Sequence, residues 1–284
     1  MTLTKARHIA LLFNANTAFN RDIMAGIAAY FGSMGAGWEL FVEEDFRLCM
    51  SGIAQWRGDG IIAGFDDPAV AAALSRTRVP VVAVGGSYAC EDEYPPGIPY
   101  VATDNFKLVE LAYAHLVGAG LRRFAMFSLP KSMENRWAQE RENAFLSLMQ
   151  RDRMATEIFH GCSTIAHSWD EELQRQIAWL QSLPKPFGII AVTDAQARHL
   201  LQACMFAGIA VPEQVALVSI DNDPLECALA PMPLSSVIHG AQAMGRTAAH
   251  MLNRMLLGAN LADTRILVPP AGINVLASSQ HQAF

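Results

Sequence analysis

The 284-residue sequence contains no G-x-G-x-x-G and no G-x-x-x-x-G-K-[ST], so the common phosphate-cradling loops of nucleotide cofactors are missing. It has no G-x-S-x-G turn either, which removes the nucleophile elbow of a serine hydrolase. Cysteine is sparse: Cys49, Cys90, Cys162, Cys204 and Cys227 are odd in number, and none lies close to another. That pattern argues against a disulfide framework and for a reducing compartment. No apolar run approaches the length that crosses a bilayer, because charged residues, proline or other polar residues interrupt every candidate. Positive charge is in deficit, with 21 Lys and Arg against 27 Asp and Glu and a formal net charge of −6. Such a chain has no electrostatic footprint for wrapping DNA or an anionic membrane, and any DNA contact falls to another segment. The first apolar stretch begins at His8, which leaves no room for a secretory leader, and the expected location is cytoplasmic.

What is present is apolar surface. An apolar fraction of 52% against 17% charged supports a large core, in two lobes or one large domain. The segment from Phe187 to Asn222 sets the pattern. An apolar run to Val192 breaks at Thr193-Asp194, a helical stretch reaches about Ala207, and a second run from Val215 breaks at Asp221-Asn222. Val- and Ile-rich runs separated by a helix are what a parallel sheet covered on both faces requires. Upstream, the same alternation predicts strands at 8–13, 38–42, 60–63 and 79–84, with a helix ending near Trp56 and a short one over 68–74. The run at 100–104 opens a second α/β series. A late helix over 241–257 and a closing strand pair, 265–268 with 272–276, complete the chain.

Ligands of open parallel sheets bind beyond the carboxyl ends of the strands, so Asp194 and Asp221 should face one cleft. Asp194 also precedes a helix, and the position favours an N-cap over a ligand contact. Asp221 has Pro224 close behind it and no evident helix to cap, and is read as a binding group. Asp66 and Asp67 follow the third strand; one should reach the cleft while the other caps the short helix. His160, Cys162 and His167 are close in sequence, but no second pair completes a zinc set, and neither a metal nor a cofactor is predicted. Paired strand-end carboxylates could cleave glycosides. The chain is not expected to be an enzyme.

Five motifs occur in a telling order: Thr103-Asp104-Asn105, Arg141-Glu-Asn-Ala-Phe145, Ala191-Val-Thr-Asp194, Ser219-Ile-Asp221, and Pro233-Leu-Ser-Ser-Val237 running on to Gly245. In that order the chain resembles the sugar-sensing domain of the lac repressor family, whose relatives include periplasmic ribose-binding proteins. Leu11-Leu-Phe-Asn-Ala-Asn16, Val84-Gly-Gly-Ser-Tyr88 and Trp137-Ala-Gln-Glu-Arg141 bring it nearest to the xylose-responsive regulators of that family. The resemblance implies an α/β, two-lobed periplasmic-binding-protein-like fold, each lobe a parallel sheet flanked by helices, with three crossovers. The lobes are expected over 1–102 with 239–262, and 103–238 with 263–284. It further implies the effector half of a longer regulator, or a natural truncation. An aldopentose, D-xylose first, would sit between the lobes, and operator DNA would be bound by an AraC-type helix-turn-helix domain outside this chain. A homodimer is possible. The alternative function is a solute-binding protein of a sugar transporter.

A pentose offers vicinal hydroxyls and a C–H face, to which carboxylates, Asn, Arg and aromatic rings are suited. By the resemblance, Arg141 donates from the second lobe and Asp221 accepts from adjacent hydroxyls. The contact at the preceding strand end belongs to Thr193, with Asp194 serving the helix start. His239 stands where relatives place Gln or another polar group, and reads either as a contact or as a packed histidine. Asn16, Phe19 and Asn20 occupy the first-lobe loop that touches sugar in relatives, although core packing explains Phe19 equally. Asp45, Tyr88 and Trp137 are rim or stacking groups.

Overall fold

The computed structural model describes residues 6–34, 37–42, 50, 52–133, 135–162 and 169–280. In chain order the elements are β1 (Arg7–Leu12), α1 (Ala18–Met34), β2 (Trp38–Val42), a 3-10 turn (Ile53–Gln55), β3 (Gly60–Gly64), α2 (Pro68–Leu74), β4 (Val81–Gly86), β5 (Tyr100–Thr103), α3 (Asn105–Gly118) and β6 (Phe124–Ser128). There follow α4 (Arg136–Arg151), β7 (Ile158–His160), α5 (Trp169–Ser182), β8 (Phe187–Ala191), α6 (Asp194–Ala207), β9 (Val215–Asp221), α7 (Pro224–Leu229), β10 (Ser235–Ile238), α8 (Ala241–Leu256), β11 (Arg265–Val268) and β12 (Gly272–Asn274).

The strands form two six-stranded sheets. The first has the order β11-β5-β4-β3-β1-β2, parallel throughout. The second has the order β12-β10-β9-β8-β6-β7, parallel except where β12 runs antiparallel to β10. Central strands such as β4, β6 and β8 are buried along their whole length. Unbroken apolar runs therefore become inner strands covered on both faces.

The chain divides into two compact units. One runs to Asp104 and resumes over Gly240–Val268; the other holds Asn105–His239 and the chain from Pro269 onward. The closing strands do not pair with each other as expected. β11 hydrogen-bonds along β5, with Arg265 opposite Tyr100 and Val268 opposite Thr103, so 263–268 completes the first sheet rather than the second. This satisfies the outer edge of β5 and buries Val268. β12 instead extends the second sheet beyond β10. His239, expected in the first lobe, directly follows β10 in the second unit. The expected helix ending near Trp56 falls largely on residues 43–49 and 51, outside the described residues; a 3-10 turn at Ile53–Gln55 precedes Trp56.

In the first unit the last long helix returns to the first. α8 packs along α1 at backbone contact distance, because a Cβ on Gly245 would overlap the Ile23 carbonyl and one on Gly26 the Gln242 carbonyl. Ile23, Ile27, Met244, Ala248 and Leu252 are buried in the same core. Gly245→Ala is expected to cost about 2 kcal/mol or more, since backbone rather than a flexible side chain must yield. Gly32→Ala on the open side of α1, where a Cβ meets nothing, should add roughly 0.5–1 kcal/mol through helix propensity. Urea unfolding of both variants checks the contrast; equal effects would contradict the close crossing.

Candidate functional site

In the second unit, the carboxyl ends of β8, β9 and β10 bring Val192, Asp221 and His239 around one side chain, Arg141 of α4. Arg141 is 3% exposed despite its charge, so its donors must be met. Its Nη1 donates to the Val192 carbonyl, and its Nε lies 3.3 Å from Asn105 Oδ1. The Trp137 ring, one helical turn earlier, lies 4.6 Å from the guanidinium carbon, a cation–π contact that holds the fork in plane. Both terminal nitrogens are 3.4 Å from Asp221 Oδ1, a long ion pair.

His239 stands between the two charges. Its Nε2 is 2.9 Å from Arg141 Nη2 and 2.8 Å from Asp221 Oδ1. One ring nitrogen either carries a hydrogen for the carboxylate or offers a lone pair to the guanidinium, and it cannot do both. The triangle is therefore incompletely matched. A hydroxyl group, which accepts and donates at once, resolves it.

Asp221 sits on an unusual backbone. Its φ is +131° and that of Asn222 is +55°, conformations that non-glycine residues adopt only when neighbours impose them. The restraint comes from Asp194. Its Oδ1 accepts from Ser219 Oγ at 2.5 Å and Ser236 Oγ at 2.6 Å, and its Oδ2 accepts from the Asp223 amide at 2.6 Å. Ser236 Oγ in turn accepts from the Asn222 amide at 2.9 Å. Asp194 is thus neither the expected N-cap nor placed to contact a ligand. Thr193 caps α6 through its hydroxyl, which accepts from the Gln196 amide at 3.3 Å, while the Asp194 carboxyl is 1% exposed and turned into the sheet. A short helix does follow Asp221, and Asp223 caps it.

The first-unit candidates are described by their own unit's contacts. Asn16 is exposed, and its amide bonds Asn14 Oδ1 at 3.1 Å; Asn20 Nδ2 donates to the Asn14 carbonyl at 3.0 Å, bracing the loop after β1. Phe19 is half-buried against the first core. Asp67 caps α2, and Asp66 Oδ1 accepts from the Gly86 amide at 2.9 Å. Tyr88 packs against Tyr94 and Tyr100, with ring centroids 4.7 and 5.7 Å away. Asp45, like His167, lies outside the described residues. Sequence reasoning missed Asn105, Ser219, Ser236 and a second strand-end group in which Ser128 donates to Glu142 and His160 Nε2 is 3.2 Å from both carboxylate oxygens. Asn105, Ser219 and Ser236 lie inside the quoted motifs, which was their available signal. Among the described residues no His, Cys, Asp and Glu group is placed to hold a metal ion, and no helix is long and apolar enough to cross a membrane.

Burial, and next the nearby Asp221 charge, raise the Asp194 pKa from 3.8 to about 7, against the lowering effect of its hydrogen bonds. Between about pH 4 and 7 the native protein holds a proton that the unfolded chain has released, so stability falls as pH rises through that window and levels off above it. Urea unfolding at pH 5 and pH 7.5 should differ by on the order of 1–3 kcal/mol. Asp194→Asn, which supplies an acceptor and a donor without ionising, should flatten that slope. Asp194→Ala should cost about 2–4 kcal/mol at either pH by leaving three donors unmet. A wild-type slope retained in the Asn variant would refute the protonation argument.

Residues 8–106 match the family model of the XylR N-terminal domain, and residues 113–279 match that of the periplasmic binding protein-like domain. The xylose operon regulatory protein of Escherichia coli (strain K12) is 44% identical over 281 residues, 99% of this chain and 71% of that protein. A solved structure of the xylose-binding transcription activator xylR superposes with a TM-score of 0.90 at 42% identity, covering 99% of this chain and 71% of that one. The lac repressor dimer bound to operator and the anti-inducer ONPF, at 17% identity, has a TM-score of 0.74 and covers 98% of this chain and 96% of its own. That last likeness speaks for the fold alone. The chain belongs to the xylose operon regulator family, whose members are transcriptional regulators with sugar-binding domains rather than enzymes.

Proposed function

We propose that this chain is the effector domain of a sugar-responsive cytoplasmic regulator and binds an aldopentose, D-xylose first. The observation that carries this reading is the Arg141–His239–Asp221 triangle at the carboxyl ends of β8, β9 and β10. A buried guanidinium and a carboxylate that is 26% exposed present a donor and an acceptor over a span where neither satisfies the other well. Two adjacent ring hydroxyls accept from the one and donate to the other, and both charge-assisted bonds are strong. Thr193, Trp137 and, from the first unit, Asn16, Phe19, Asn20 and Asp66 complete the proposed contact set. Sequence identity to a xylose-binding activator supports the choice of pentose.

Ligand binds one conformational state more tightly and so raises its population. In this proposal the favoured state is the one closed on the sugar, and closure is passed to a helix-turn-helix domain outside this chain that holds operator DNA, with a homodimer as the working assembly. Calorimetric titration with D-xylose, L-arabinose, D-ribose and D-glucose tests the site. D-xylose should give saturable heat, and Asp221→Ala and Arg141→Lys should each weaken binding by about tenfold or more, the loss of a charge-assisted bond. Silence toward all four sugars, or undiminished binding by both variants, would refute it.

A further inference from the structure

The turn that carries Asp221 does not end at Asp194. A run of buried hydroxyls continues from it to the far end of the described chain. Ser219 Oγ, already bonded to Asp194, lies 3.2 Å from the Ser235 carbonyl. The Ser235 amide donates to Ser278 Oγ at 2.8 Å, and Ser278 Oγ donates to the Leu217 carbonyl at 2.7 Å. Ser235 Oγ donates to the Leu276 carbonyl at 2.8 Å while accepting from the Leu276 amide at 2.8 Å and from Ser279 Oγ at 2.7 Å. The hydrogen of Ser279 is thereby committed, so His115, whose Nε2 is 2.8 Å from Ser279 Oγ, is the donor there. Ser219, Ser235, Ser236 and Ser278 have no exposure, and Asp194 and Ser279 have 1%. Water does not compete for these bonds, and bonds in such a chain polarise one another.

We infer that this hydroxyl chain makes the Asp221–Asn222 turn and residues 276–280 one cooperative unit, through which the state of the turn is relayed to the segment at the end of the described chain. The inference that sugar drives the relay rests on the function proposed above; the coupling itself does not. Its switching element is Ser219, which has one hydrogen and two acceptors in reach. With Asp194 ionised, that hydrogen goes to the carboxylate. With Asp194 protonated, the carboxyl donates to Ser219 Oγ and the Ser219 hydrogen passes to the Ser235 carbonyl, the strand residue that anchors Leu276, Ser278 and Ser279. Asp221, Asp223 and Cys227 are the titratable groups around Asp194, and His115 stands at the opposite end.

Amide hydrogen exchange on the intact chain tests the relay. Ser236→Ala removes the link between Asn222 and Asp194 and none of the hydrogen bonds to 276–280 described above. It should lower protection at Leu276 and Ser278 roughly tenfold, the equivalent of one net hydrogen bond. Ser147→Ala, on the exposed side of α4, should leave them unchanged. In the wild type the protection factors of these amides should step as pH passes through about 7 by more than those of β8 amides such as Ile190, which follow the global stability alone, and Asp194→Asn should abolish that excess while keeping the protection. That pH arm also decides the matter if Ser236→Ala fails to fold. A loosened turn with unchanged exchange at 276–280, or a pH step retained in Asp194→Asn, would overturn the coupling. D-xylose that binds without altering protection at 276–280 would overturn the sugar-driven relay. D-xylose that fails to bind, with the variant effects intact, would sink the proposed effector and leave the coupling standing.

Discussion

A single buried carboxyl holds the strand ends of the second unit together. Asp194 accepts from β9 through Ser219, from β10 through Ser236, and from the approach to α7 through the Asp223 amide. Remove it, and the positive-φ turn at Asp221–Asn222 loses the restraints that keep it in a conformation non-glycine residues otherwise avoid. The orientation of the Asp221 carboxylate toward His239 and Arg141 follows from that turn. A group turned away from solvent thus determines where the Asp221 carboxylate points.

Two charges in the second unit show how the fold uses burial differently. Arg141 is enclosed and fixed from four directions, by Val192, Asn105, His239 and the Trp137 ring, so it is presented as a rigid donor. Preorganisation of this kind lowers the ordering cost of binding. Asp194 is also enclosed, but its ionisation is opposed by burial and by Asp221, and a nearly neutral pKa results. The first is fixed as a donor and the second supports the turn. Swapping their roles would put an unmatched charge inside the sheet.

The motifs led sequence reasoning to the cluster at the ends of β8, β9 and β10 and sometimes to the wrong atom. The apolar runs at 187–192 and 215–220 became β8 and β9 because only central parallel strands tolerate such uniform burial. Arg141 and Asp221 converge as the motif order implied. Asp194, however, sits one residue past the cap. Thr193 takes the cap because its backbone is extended, with φ −144° and ψ 164°, while Asp194 already has helical geometry. A string of letters places both at the helix start and cannot say which side chain turns inward.

Local chemistry written in the sequence decided the elements: strand runs, helix starts, the proline and aspartate that open α2 and α7, and the family to which the chain belongs. Tertiary structure alone decided which strand neighbours which. β11 and β12 lie four residues apart yet join different sheets, since each is claimed by a distant edge, β5 and β10, whose hydrogen-bonding groups would otherwise go unpaired. It also decided the serine ladder from Ser219 to Ser279, where residues 44 and 61 positions apart become partners. Hydroxyls carry no sequence signature of burial; only the packing of β9, β10 and the closing segment removes water from them and makes each depend on the next.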